Sequence, residues 1–461
     1  MPDARTTPVD GPLGRTYAEV TLAVLALVTI VAFESMAVST AMPAVARDLD
    51  AVRSYGFAFS VMLTAQLLGI VLAGVWSDRS GPMLGAVTGQ ALLAAGSAMC
   101  GMATTLPFFL AGRALTGLGG GLLVVMLYVI AGRVYPEAIR PRLFTYVSAA
   151  WVLPSLLGAP IAAWLTTNLS WRWVFWGVVP PVLVTMVVLA HARRRIGDSA
   201  LTTAVGGRDH SAHVRAAWCG LGIALSAGAI QLGTHELVLE LSPRTGLVLA
   251  GLVGVVVFAP KLVPPGTWQM ARGLPSVMLA RALFIGAFYA GITYVPLFLV
   301  GQRGLSLQTA GLSLAVGAIG WAGGAWYQGH DSLHLPRHRL VELGGALLAS
   351  GLAVLSAVAF LELPWWAVPL ALVLTGVAMG LGVTTTTVLA LELSPVEEHG
   401  EASSSLQLAD VLGSVLGIAA ATALFAARHV PGQDDALFGA IFLGLAAVAA
   451  VAVPTGQRIR T

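Results

Sequence analysis

Three ionisable residues stand inside long apolar stretches of this chain. Glu34 lies in "FESMAVSTAMP" (33–43), Arg113 opens "RALTGLGGG" (113–121), and Asp410 sits in "LQLADVLGS" (406–414). A charge at the centre of a bilayer costs roughly 2.5–3.5 kcal/mol on insertion scales, so it faces a cavity or a partner and marks function. A carboxylate in such a place has two uses. A dry site favours the neutral acid, so the group can take up and release a proton. Alternatively Arg113 pairs with Glu34 and holds it ionised as a fixed strut. Gln66, Trp151, Tyr289, Tyr294 and Gln407 also fall within apolar stretches and could line a cavity. The "TTTT" run (384–387) reads as hydroxyls bonded back to helix carbonyls rather than as a ligand site.

Long helices must position these groups. The 461 residues are 57% hydrophobic and 10% charged, with mean hydropathy +0.83; a soluble protein carries about 25% charged residues. A helix needs roughly 20 mostly apolar residues to cross a bilayer, and fourteen such runs lie between residues 17 and 456. The runs are too long for barrel strands. The 53 glycines suit close approach of helices in lipid, where small residues replace hydrophobic drive. The fold class is therefore an all-α polytopic membrane protein.

The basic residues give an orientation. With the N-terminus inside, seventeen Lys and Arg fall to inner loops and helix ends and six to outer ones. That asymmetry puts both termini in the cytoplasm. The charge of +3 thus reads as topology, not as nucleic-acid binding.

"HARRRIGDSALTTAVGGRDHSAHVR" (191–215) is the longest polar stretch and reads as a linker. The plan is six runs (1–192), a basic linker with two extra runs (193–272), and six more (273–461). An internal repeat supports it. Shifted by 259 residues, "TGLGGGL" (116–122) falls on "TGVAMGL" (375–381), Pro136 on Pro395 and Gly158 on Gly417. Asp410 falls on Trp151, so the halves differ there. Were the two to face each other, the acid and the ring would suit a substrate with a cationic end and an apolar body. Two parallel six-helix halves with a site between them is a common transporter plan.

"GVWSDRSGP" (74–82) resembles the GxxxDRxGRR loop of the major facilitator superfamily, with Pro82 and Met83 in place of the basic pair. The resemblance implies that Gly74, Asp78, Arg79 and Gly81 form a cytoplasmic gate. "FESMAVSTAMP" resembles the first-helix signature of that superfamily's fourteen-helix drug:proton antiporter (EmrB/QacA-like) branch, with Glu34 at the acidic position. "RALTGLGGG" is similar to the RxxQG motif, keeping Arg113 and replacing Gln by Thr116. "PSLLGAPIAAWL" (154–165) is a degraded form of the GxxxGPxxGG antiporter motif, and "SWRWVF" (170–175) and "YVPLFL" (294–299) also match. The resemblance implies two six-helix bundles of major facilitator type plus two linker helices, fourteen in all, in the cell membrane.

The implied activity is export of small amphipathic organic compounds in exchange for protons. Glu34, Asp410 and Arg113 would serve proton coupling, and Gln66, Trp151, Tyr289, Tyr294 and Gln407 the substrate. The protein is expected to act as a monomer. Rival readings are proton-coupled export of an endogenous lipid, sugar or secondary metabolite, an uptake symporter, or a non-transporting sensor. "GLGGG" lacks the Lys-Ser/Thr end of a nucleotide loop, and the nine histidines show no ligand spacing, so no cofactor or metal is expected. With no nucleophile–base constellation, no enzyme activity is expected.

Overall fold

The computed structural model describes residues 11–14, 17–136, 139–196, 210–234, 243–261, 263–329, 335–395 and 399–459. The described residues contain α1 (Ala18–Asp48), α2 (Tyr55–Ser80), α3 (Pro82–Met102), α4 (Leu106–Val134), α5 (Arg140–Asn168), α6 (Arg172–Trp176) and α7 (Val179–Ile196). Then come α8 (His210–Thr234) and α9 (Pro243–Phe258), followed by α10 (Leu274–Gly301), α11 (Leu307–Gln328), α12 (Arg337–Phe360), α13 (Ala367–Glu392), α14 (His399–Arg428), α15 (Asp435–Ala450) and α16 (Ala452–Arg458). α6 with α7, and α15 with α16, each make one rod with a short break. Ten stretches are long and apolar enough to cross a membrane, and α8 and α9 hold shorter apolar segments, Trp218–Ile230 and Thr245–Lys261.

Local chemistry sets the helix starts. Proline occupies the first turn of α3, α4, α5 and α10, where its missing N–H costs nothing. Ser306 caps α11 by accepting from the Thr309 N–H at 3.1 Å. Gly81 turns the chain into α3 at φ 72°, a left-handed angle that glycine adopts freely.

The 259-residue repeat is visible in the elements. Adding 259 to the bounds of α5 gives 399–427, against 399–428 for α14; the bounds of α4 map to 365–393, against 367–392 for α13. The repeated glycines do the same job in both halves. A Cβ on Gly117 or Gly121 would collide with the α2 backbone at Met62 and Gln66. A Cβ on their mates Gly376 and Gly380 would collide with the α11 backbone at Gly317 and Trp321. Gly158 packs on Phe33 and Met36 of α1, and Gly417 on Gly286 of α10. Small residues thus set the spacing of matching helix pairs.

The rods α1–α7 and α10–α16 meet through α2 against α14, α5 against α11, and α1 against α10. The contact is tight at the face away from the two chain ends. There Tyr55 meets Tyr294 (centroids 5.7 Å) and the Tyr294 hydroxyl donates to Thr422 Oγ1 at 3.2 Å. Phe425 and Phe438 extend this aromatic seal. Only a glycine fits at position 56, because its Cβ would overlap Thr422 and the Tyr294 hydroxyl. α8 runs antiparallel along α2, with Gly220 beside Val71 and Gly228 near Thr64. It also packs on Val411, Leu412 and Val415 of α14, so the α8–α9 hairpin touches both halves.

Candidate functional site

The first-half carboxylate is dry and paired. Glu34 lies sixteen residues into the 31-residue α1, near mid-depth, and is 1% exposed. α4 brings Arg113 to it because Gly117 and Gly121 let α4 lie close on α2. Arg113 is 2% exposed, and its Nη1 donates to Glu34 Oε1. Its Nε donates to the Ala58 carbonyl at 3.4 Å, and its Nη2 lies 2.7 Å from Met62 Sδ. Removing two ions from water costs several kcal/mol each, which their attraction recovers only when the geometry is good. Here the guanidinium spends one N–H on one carboxylate oxygen, so the pair is loosely specified.

The second-half acid is paired as well, by a residue that the sequence reading passed over. Arg281 of α10 holds Asp410 of α14 with two N–H groups: Nε to Oδ1 at 2.5 Å and Nη2 to Oδ2 at 2.8 Å. Its Nη1 points to α13, donating to the Val383 carbonyl at 2.6 Å and the Thr387 hydroxyl at 2.9 Å. The two helices come within reach because Ala282 and Gly286 of α10 face Gly413 and Gly417 of α14. The Asp410 side chain is 28% exposed and that of Arg281 11%, so this pair, unlike the first, is open to its surroundings.

The threonine run does bond back, Thr386 to the Gly382 carbonyl at 2.8 Å and Thr387 to the Val383 carbonyl at 2.9 Å. It also serves as an acceptor wall for Arg281. The signal for Arg281 was present: twenty-three of the 25 basic residues fall to loops and helix ends, and the two left inside are Arg113 and Arg281.

Of the five lining candidates, Tyr289 joins this pair. It is half-buried on α10 and lies within Coulombic reach of Asp410 and Arg281. Tyr294 is fully buried in the seal instead. Gln66 on α2 and Gln407 on α14 are half-buried, Gln407 one turn before Asp410. The side chains of Trp151, Asp78 and Arg79, and the surroundings of Gly74, lie outside the described residues.

An apolar recess of about 70 Å³ opens between α1, α4 and α5. Val24, Val28, Val31, Leu123, Leu127 and Val147 line it. Among the described residues its one hydroxyl is that of Tyr128. The described lining in the first half is apolar apart from that hydroxyl, whereas the second half presents an ion pair. No group of three or more His, Cys, Asp or Glu suited to a metal occurs among the described residues.

Comparison with known proteins bears on this arrangement. The family model of the Major Facilitator Superfamily matches residues 24–418. The chain belongs to this superfamily. It is 24% identical over 419 residues to the multidrug transporter protein MdtP of Bacillus subtilis, covering 86% of this chain and 73% of that one. A probable multidrug-efflux transporter of Mycobacterium tuberculosis is 26% identical over 395 residues, covering 82% and 81%. An uncharacterised MFS-type transporter of the same species is 25% identical over 439 residues, and the chain spans only 60% of that relative's length. Among solved structures, a POT family transporter in complex with a thioalcohol-conjugated peptide superposes with a TM-score of 0.72 at 15% identity, covering 94% of each chain. A D-xylose–proton symporter superposes with a TM-score of 0.64 at 16% identity, covering 96% and 99%. These structures share the fold. As a superfamily member with many apolar helices, this protein is a multi-pass membrane transporter rather than an enzyme.

Proposed function

We propose that this superfamily member exports small amphipathic organic compounds in exchange for protons by alternating access, within the fourteen-helix drug:proton antiporter branch. The observation that carries the reading is Glu34: a dry carboxylate at mid-depth, one oxygen held by Arg113. A proton arriving at Glu34 would have to displace Arg113, and such a competition ties protonation to a movement of α1 against α4. The names of the B. subtilis and M. tuberculosis relatives support a drug-like substrate.

In this reading the seal at Tyr55, Gly56, Tyr294 and Thr422 closes the outer face, and the recess beside Tyr128 belongs to the inner side. α8 and α9 span with the rest, giving fourteen crossings, both termini in the cytoplasm and a place in the cytoplasmic membrane. The working units are 1–192, the linker 193–272 and 273–461, acting as a monomer. Gln66, Trp151, Tyr289 and Gln407 line the substrate path, Tyr294 reaches it when the seal opens, and Gly74, Asp78, Arg79 and Gly81 gate the inner side.

The test is purified protein in proteoliposomes under an imposed pH gradient, screened over amphipathic dyes, sugars and lipids. Gradient-dependent movement of amphipaths, abolished by a protonophore, is expected. Movement of sugars or lipids alone, or movement with the proton flow, overturns it. A cysteine replacing Glu240 should label from outside; labelling only from the cytoplasm contradicts the spanning of α8 and α9.

A further inference from the structure

Asp410 is not a lone charge, and that changes what the site selects. Four acidic or basic side chains are described deep within the rods: Glu34, Arg113, Arg281 and Asp410. They cancel in pairs. The first pair is sealed from solvent; the second, 28% and 11% exposed, is the one a visiting molecule meets. Beside it stands the Thr387 hydroxyl, with Tyr289 two turns along α10 from Arg281 and Tyr128 on the lining of the apolar recess. A lone buried carboxylate attracts cations. A carboxylate whose two oxygens are both taken by one guanidinium fork offers a cation little net field.

The fork is also held independently of Asp410. Its Nη1 donates to Val383 and Thr387 of α13, contacts that tether the guanidinium apart from Asp410. A carboxylate has about four lone-pair sites and Arg281 uses two, so Asp410 can still accept from a neutral N–H or O–H. The exposed surface thus presents a plus beside a minus, next to apolar walls.

We propose that Arg281 is the specificity-determining residue of the transport site: by neutralising Asp410 it makes the site select amphipaths without net charge, neutral amides and alcohols or zwitterions, over lipophilic cations. The inference rests on the export reading above but adds a charge rule to it. Arg281 is a positioning residue for Asp410 as well as part of the wall.

The rule is tested with a charge cycle in the full-length protein. Four matched lipophiles serve as probes: a quaternary ammonium, its neutral isostere, the corresponding sulfonate and the zwitterion carrying both groups. Binding in detergent and transport in proteoliposomes are both measured. Wild type should favour the neutral and zwitterionic probes. Arg281→Gln should shift preference toward the ammonium by on the order of tenfold, since an uncompensated charge then faces the cavity. Asp410→Asn should shift it toward the sulfonate by a similar factor. The double variant should return to the wild-type order, and its neutral pair guards against a folding artefact. Arg281→Lys with Asp410→Glu keeps the sum at zero and should also keep the order. A wild-type preference for the ammonium that Arg281→Gln leaves unmoved overturns the charge rule while leaving export intact. Loss of gradient-dependent transport for all four probes, with the charge order in binding preserved, overturns the export reading and leaves the rule standing.

Discussion

The two halves share a backbone plan but place their buried charges differently. In the first, the acid is on α1 and the arginine on α4; in the second, the arginine is on α10, the counterpart of α1, and the acid on α14, the counterpart of α5 rather than of α4. At the far face the signs are exchanged at matching helix ends. Asp48 at the end of α1 pairs with Arg172 at the start of α6 at 2.9 Å, and Arg172 also reaches the Ala103 carbonyl and lies over Trp171. In the second half Arg303, just past α10, pairs with Asp435 at the start of α15 at 3.1 Å, reaches the Val358 carbonyl and lies over Phe298. One geometry serves both clamps with the signs exchanged. Helix spacing is set by glycines that the repeat preserves. The ionisable groups are placed on top of that spacing, separately in each half.

The strongest way to break this comparison is at the ion pairs. Arg113→Ala leaves Glu34 buried with no counter-charge, and loss of one partner of a buried pair costs about 3–5 kcal/mol. Thermal unfolding in detergent should show a large loss, and the double change Glu34→Gln with Arg113→Gln a smaller one. Arg281→Ala should cost less than Arg113→Ala, because the Asp410 side chain is 28% exposed and Glu34 is 1% exposed. An equal loss at both sites would contradict the contrast between a dry pair and an open one.

The glycines should behave the other way, alike in both halves. Gly121→Val and Gly380→Val each force a side chain into a neighbouring helix backbone, and overpacking of this kind costs roughly 1–3 kcal/mol. Matched losses in the same unfolding assay sharpen the claim that spacing is what the repeat preserves. A large loss in one half alone would break it.

The clamps come last. Arg172→Gln and Arg303→Gln remove part-exposed pairs, worth about 0.2–1 kcal/mol each. Both should leave transport nearly unchanged and lower stability slightly, more so at low salt, where screening is weak. A several-fold transport defect in either would assign the clamps a role in closing the far face.

Much of the fold was legible from residues alone. Run length and composition carry the helices, and the 259-residue shift carries the correspondence of α4 with α13 and α5 with α14, because packing glycines leave a mark at fixed positions. The site was half legible. Glu34 and Arg113 stood out as charges in apolar runs, and their pairing was one of the two uses open to them. Arg281 was missed although it is the same kind of signal, since no motif frames it and its run begins only a few residues earlier. Tyr128 was missed for a different reason: a tyrosine in an apolar helix declares nothing until the opposite wall is known. Tyr294, expected to line the cavity, packs against Tyr55, Thr422 and Phe425, a setting that no periodicity in α10 announces.

The measurement that bears most directly on the central claim is a comparison of two transport modes in Glu34→Gln. Counterflow, the exchange of labelled for unlabelled substrate with no pH gradient, needs binding and alternating access but no proton exchange. Accumulation against a gradient needs the proton as well. With Glu34 as the coupling acid, the variant should retain counterflow within a few-fold and show no pH-driven accumulation. Wild-type accumulation driven by the pH gradient in Glu34→Gln would contradict the account.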